Sequence, residues 1–232
     1  MPVFRLSSEL SFPDVELAEP EGLLALGGDL TLPRLLLAYS LGIFPWFSDQ
    51  DPLLWWAPPQ RAIVEPMHVH LPRSLRKLLR KNLFTVKCDT QFEVVIKACA
   101  STPRKQEGTW ITQAMQTAYN HLHHEGFAHS FEVFLDNVLV GGLYGVSLGR
   151  SFFGESMFSL VDNSSKIAFA FLSRTLAQWQ FEFIDCQLMN ENVARYGSKL
   201  IERKEFTSLL QQSLRHPTRR GRWVLPDFTN DW

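Results

Sequence analysis

The chain has 232 residues, 45% hydrophobic and 20% charged, which is enough apolar material for a packed core and excludes a mainly disordered state. With 23 Lys and Arg against 24 Asp and Glu the net charge is -1, so bulk attraction to nucleic acid or anionic lipid is excluded and any polyanion must be met by a local patch. Three cysteines without CxxC spacing, no apolar run of roughly 18 residues and no leader-like N-terminus predict a cytoplasmic protein with reduced thiols and no membrane span.

In chain order, residues 1–30 carry six acids against Arg5 alone. Thr31, Pro33 and the run LLLAY, closed by Gly42, predict a short capped helix. GIFPWFSDQDPLLWWAPPQR is rich in Pro and aromatics without helical period, so it reads as ordered loop or short strands. From Pro66 to Cys88 there are six bases and no acid. There Arg73, Arg76, Lys77 and Arg80 follow i, i+3, i+4, i+7, with Lys81 next in line and Leu75, Leu78 and Leu79 on the opposite side. This basic stripe is either a solvated helix face or a phosphate-backbone contact. The texture changes near Pro103, and a boundary is placed between residues 1–95 and 96–232.

Thr112 opens a helix that runs to Glu125 and stops at Gly126. From His129 the pattern becomes strand-like: HSFEVFLD, a turn at Asp136 and Asn137, then VLVGGLYGVSLG and RSFFGESMFS, an antiparallel meander. Asn163 caps a helix to about Gln178, FEFIDCQ is a buried strand, and Asn190 opens a short helix ended by Gly197. The layout is α+β.

Two acids interrupt apolar strands, Glu155 in FFGESMF and Asp185 in FIDCQLM. A buried carboxylate needs partners or a task, so both are site candidates against a structural alternative. Gln187 lies two residues after Asp185 and is expected on the same strand face. His121, His123, His124 and His129 form no known ligand pattern, so no metal is expected. No P-loop or GxGxxG occurs. Trp46 in its Pro-rich loop and Trp110 in QEGTWIT are candidates for a nucleobase platform; most other aromatics are core.

The motifs LLALGGDL, GIFPWF, LLWWAP, EGTWIT, GGLYGV, FFGESMFS, NSSK and FIDCQLMN, in this order across nearly the whole chain, resemble the bacterial leucyl/phenylalanyl-tRNA-protein transferases. The resemblance implies transfer of Leu or Phe from aminoacyl-tRNA to the α-amine of proteins beginning with Arg or Lys, marking them for degradation; aminolysis of an ester needs no cofactor, and a monomer is expected. It also implies a small N-terminal domain and a C-terminal GNAT-like domain similar to acetyltransferases. By resemblance, Asp185 orients Gln187, whose carbonyl accepts from the acceptor amine, and Glu155 lies near the reacting groups. The same resemblance gives Leu143, Phe152, Met157, Leu172 and Ile184 as walls of an apolar donor pocket, and Trp46, Trp110 and Tyr119 near the adenosine. It makes Arg73, Arg76, Lys77, Arg80 and Lys81 a tRNA contact. Two alternatives stand beside this reading. A coenzyme A-dependent N-acyltransferase is disfavoured because no Q/R-x-x-G-x-G/A loop precedes Asn163, and a non-catalytic tRNA-binding module is disfavoured by the two buried acids.

Overall fold

Two sheets organise the chain in the computed structural model, which describes residues 3–102, 109–228 and 232. The first contains β1 (Phe4–Leu6), β2 (Leu23–Gly27), β3 (Phe44–Pro45) and β4 (Leu54–Trp56), in the order β1-β2-β4-β3, with α1 (Leu32–Ser40) between β2 and β3. The second contains β5 (Gln60–Val64), β6 (Thr85–Cys88), β7 (Ala128–Leu135), β8 (Val138–Leu148), β9 (Ser151–Ser159), β10 (Phe183–Asp185) and β11 (Lys199–Glu202). Their order is β11-β5-β10-β9-β8-β7-β6, and only β9 and β10 run parallel.

The helices sort onto the faces of this larger sheet. On one side α1, α3 (Phe92–Ser101), α4 (Gln113–His124) and α7 (Arg203–Ser213) share a core with the first sheet, in which Trp55, Tyr39, Met115, Tyr144, Phe153 and Phe206 are all buried. On the other side α2 (Arg73–Arg80) and α5 (Ser164–Gln178) cover Leu143, Phe152 and Ile184, with Trp223 of the C-terminal segment against the same face. The short helix α6 (Glu191–Ala194) follows β10. The result is the expected α+β fold, and no described helix is long and apolar enough to cross a membrane.

Local chemistry accounts for the connections. Asp136 and Asn137 both take positive φ, 49° and 63°, which is the two-residue turn that matches strand twist and produces the predicted hairpin. Gly149, at φ 56°, turns β8 into β9, and a Cβ there would lie 2.3 Å from the Ser213 carbonyl. The predicted cap at Asn163 forms differently: the residue precedes α5 but is left-handed, and its side chain accepts from Lys166 Nζ (2.8 Å) instead of capping the helix.

The boundary expected at 95/96 falls inside α3, whose Val95 and Ile96 are fully buried. The change of sheet comes between β4 and β5, since β5 and β6 belong to the larger sheet. The two sheets also share one continuous apolar core. Pro103, and Glu107 and Gly108 of the EGTWIT motif, lie outside the described residues.

Candidate active site

The site exists because two parallel strands part company. β9 and β10 are paired from Phe183↔Ser151 to Asp185↔Phe153, and there β10 ends while β9 continues to Ser159. The gap beyond this point holds two adjoining cavities. One, of about 170 Å³, is mostly apolar and is bounded by Leu143, Met157, Phe169, Leu172 and Ile184, with Val193 and Tyr196 beside α6. The other, of about 180 Å³, runs between Trp46 and Trp110 and past Leu188. Glu155, Cys186, Gln187 and Asn190 line both, so they form the junction.

Glu155 reaches this junction through a β-bulge. Tyr144 pairs with Ser156 and the next residue, Gly145, pairs with Gly154, so Glu155 has no counterpart on β8. A surplus residue turns the strand and re-aims its side chains. Phe152 faces the α5 side before the bulge, whereas after it Met157 does so and Phe158 faces the opposite core. The Glu155 carboxylate accepts from Tyr39 Oη (2.8 Å), from Tyr119 Oη (3.2 Å) and from Gln187 Nε2 (3.4 Å). The two tyrosine hydroxyls also lie within bonding reach of each other, and with one proton apiece the hydroxyl that donates to the other does not donate to Glu155 at the same time. Burial pushes the Glu155 carboxyl up to about 7; the two hydroxyls and Arg61 oppose that rise, and the neighbouring charge of Asp185 adds to it. Burial and the nearby Glu155 charge push both phenols well above their ordinary range, so they stay donors.

Asp185 is fully buried and saturated. Its Oδ2 accepts from Arg61 Nη2 (2.7 Å), and its Oδ1 accepts from Arg61 Nε (2.9 Å) and from the backbone N of Gln187 (2.9 Å). Gln187 is therefore not on the strand face shared with Asp185, as expected from period-two alternation. β10 stops at Asp185, and Gln187 adopts a left-handed φ of 54°. Asp185 orients it through its main-chain amide, not through its side chain. Burial and the charge of Asp185 drive the Cys186 thiol far above its ordinary range, which keeps it protonated and unreactive.

The structure brings together Glu155, Gln187, Leu143, Met157, Leu172 and Ile184 around the first cavity and Trp46 and Trp110 around the second. It does not place Phe152 or Tyr119 in either wall. Phe152 lies where β9 is still paired to Ile184, so no gap has opened, and its ring packs 6.0 Å from that of Trp223. Tyr119 is wholly buried beneath Glu155, where it is a hydrogen-bond donor and not a surface for an adenosine. Arg73, Arg76, Lys77, Arg80 and Lys81 are exposed along α2, while Leu75 and Leu79 are buried under it. The segment entering α2 is tied to the far wall of the apolar cavity by His70 N donating to the Tyr196 carbonyl (3.0 Å). Tyr39 and Arg61 are site residues that the sequence reading missed. The available signal for Arg61 was a lone cation opening the apolar run RAIV, whereas Tyr39 at the end of LLLAY is indistinguishable from core. Among the described residues no group of three His, Cys, Asp or Glu is placed to hold a metal ion.

Comparison with known proteins identifies the family. The family model described as leucyl/phenylalanyl-tRNA protein transferase matches residues 63–211, and that of its N-terminal domain matches residues 28–59. The division between the two models falls where the chain passes from the first sheet to the second. A leucyl/phenylalanyl-tRNA--protein transferase of Syntrophus aciditrophicus (strain SB) is 53% identical over 100% of this chain and 97% of its own length. One of Anaeromyxobacter sp. (strain K) is 50% identical over 97% of each chain. Among solved structures the chain is similar to FemX, at 11% identity and a TM-score of 0.49 over 78% of this chain and 71% of that one. With two family models covering most of its length and relatives of this identity, the chain belongs to the leucyl/phenylalanyl-tRNA-protein transferases and is an aminoacyltransferase.

Proposed function

We propose that this enzyme moves Leu or Phe from its aminoacyl-tRNA onto the α-amine of proteins that begin with Arg or Lys, in the cytoplasm, and so marks them for degradation. One observation carries the reading: an apolar cavity of about 170 Å³ and an aromatic-walled cleft meet at a single polar junction. The cavity takes the donor side chain. The cleft takes the terminal adenosine, with Trp46 and Trp110 offering flat faces whose stacking contributes roughly 1–3 kcal/mol per base. The ester linking the two then lies beside Glu155 and Gln187. The exposed cations of α2 hold the tRNA backbone as point contacts to phosphate.

The reaction is aminolysis. The neutral acceptor amine attacks the ester carbonyl carbon, a C–N bond forms, the bond to the ribose oxygen breaks, and the amine proton ends on that oxygen. With Nε2 of Gln187 directed at Glu155, its Oε1 is left to accept from the amine and aim its lone pair. An uncharged amide is too weak a base to do more. Asp185 is not the base either, because both of its oxygens are engaged by Arg61 and by the Gln187 amide. Glu155 is the group matched to proton movement: with a pKa of about 7 it accepts from an ammonium near neutral pH and returns the proton to the leaving hydroxyl. Its negative form also attracts a cationic acceptor.

A single-turnover assay with labelled Leu-tRNA and two peptides differing only in the first residue, Arg or Ala, tests this. Label should appear on the Arg peptide alone. Transfer to neither peptide, or acylation supported by acetyl-coenzyme A instead, would reject the reading.

A further inference from the structure

Arg61 is one of several deeply enclosed charges among the described residues, 2% exposed, and it touches three separate elements. Its Nε and Nη2 form a fork on Asp185 at 2.9 and 2.7 Å. Its Nη1 donates to the Gly42 carbonyl at 2.6 Å, just before the strand β3 that leads to Trp46. The guanidinium carbon lies over the rings of Phe44, at 4.9 Å, and Phe206 of α7, at 4.4 Å. The backbone next to it repeats the grip, for Cys186 N donates to the Ala62 carbonyl (2.8 Å) and Ala62 N donates to the Gln187 carbonyl (3.1 Å).

The consequence is geometric. The junction of the two cavities has one wall on the 186–190 segment and another on the segment holding Trp46, and these walls are joined to a common cation. Gln187 is held in a left-handed conformation that an L side chain rarely adopts, and the bond that fixes it ends on the carboxylate which Arg61 orients. A planar fork fixes both position and rotation of a carboxylate, whereas an ammonium fixes neither. We propose that Arg61 is a positioning residue of the transfer reaction, which through Asp185 sets the orientation of Gln187 and through Gly42 sets its spacing from the adenosine platform. This rests on the reading above in which Gln187 aims the acceptor amine.

The test compares R61K, D185N and the double variant R61K/D185N, using full-length Phe-tRNA and a short Phe ester of adenosine as donors. R61K keeps the charge and loses the fork. Its kcat should fall at least tenfold with both donors, while tRNA affinity, set on α2, stays within about twofold. Because the two residues act as one unit, the double variant should lose no more than the worse single variant. Adding millimolar guanidinium to R61A should restore at least part of kcat in a saturable manner, which a merely unstable protein would not show. If R61A does not fold, the R61K comparison decides alone. An R61K enzyme within threefold of wild-type kcat, or a double loss equal to the product of the single losses, overturns the proposal. The two readings fail differently: a fully active Gln187→Ala removes the Gln187 assignment itself, whereas an inactive Gln187→Ala beside an active R61K removes only the role of Arg61.

Discussion

Replacing Glu155 by glutamine isolates the ionisation on which the proposed chemistry depends. The amide keeps the shape of the side chain and an oxygen facing Tyr39, but it never charges. In the folded enzyme the carboxyl of Glu155 titrates near 7 and in the unfolded chain near the ordinary 4.5. Below pH 4.5 it is protonated in both states and burial carries no penalty. As pH rises from 4.5 towards 7 the unfolded chain ionises first, so the folded enzyme loses about 1.4 kcal/mol per pH unit. Above about 7 both states are charged and the loss levels off at about 3 kcal/mol, which is the 2.5-unit interval multiplied through. Urea unfolding of wild type and E155Q at a series of pH values from 4.5 to 8 measures this, and taking the difference between the two proteins cancels every other titrating group. The variant should gain on wild type steadily across the interval and stay ahead above it. Stability is a cleaner readout here than rate, because the acceptor's own amine titrates at roughly 7.7–8.0 and overlaps the activity profile. A stability difference that stays level within about 0.5 kcal/mol from pH 4.5 to 8 would show that the carboxyl is not desolvated and cannot serve as the proton carrier.

Two further perturbations address substrate recognition. Replacing both Arg76 and Lys77 of α2 by Ala should weaken binding of full-length aminoacyl-tRNA and reduce its salt dependence by up to about one log unit per lost contact, with use of a short adenosine ester nearly unchanged; equal loss with both donors in a filter-binding and transfer comparison would show the helix to be structural. Met157→Ala should enlarge the apolar cavity, and in competition between Leu-tRNA and Phe-tRNA the kcat/KM ratio should move towards Phe by at least about threefold, within the roughly 1–3 kcal/mol that such a pocket controls; an unchanged ratio would place the donor side chain elsewhere.

Elements with local causes were legible in the chain. The 3.6 spacing of α2, the Asp136-Asn137 hairpin and the cap at Thr112, whose side chain accepts from Met115 N, each follow from residues within a few positions. The acids Glu155 and Asp185 stood out because each breaks an apolar strand; in the structure Glu155 lines both cavities, and Asp185 is buried behind them, bonded to Gln187 N. What was hidden is nonlocal. The fork from Arg61 to Asp185 spans 124 positions and the bond from Tyr39 to Glu155 spans 116, distances over which no periodicity operates. The face of Gln187 was misread because alternation assumes that a strand continues, and β10 ends two residues earlier. The division of the chain was misplaced for a related reason: strands β5 and β6 precede the change of texture in sequence but are recruited into the sheet that follows it.

Glu155 stands unmatched on β9, and this makes the number of residues in that strand a constrained quantity in its own right. Removing any one residue from Gly154 to Ser156 would leave a composition almost unchanged and would let β8 and β9 align without a kink. Beyond that point Met157 and Phe158 would keep their partners Leu143 and Gly142 and their present faces, but the surplus position that bends the strand and aims Glu155 at the junction would be gone. A substitution here changes the enzyme by degrees, whereas a deletion removes the bend on which the junction is built. Evolution of donor preference in this strand is therefore open to exchange of letters and closed to a change in their count.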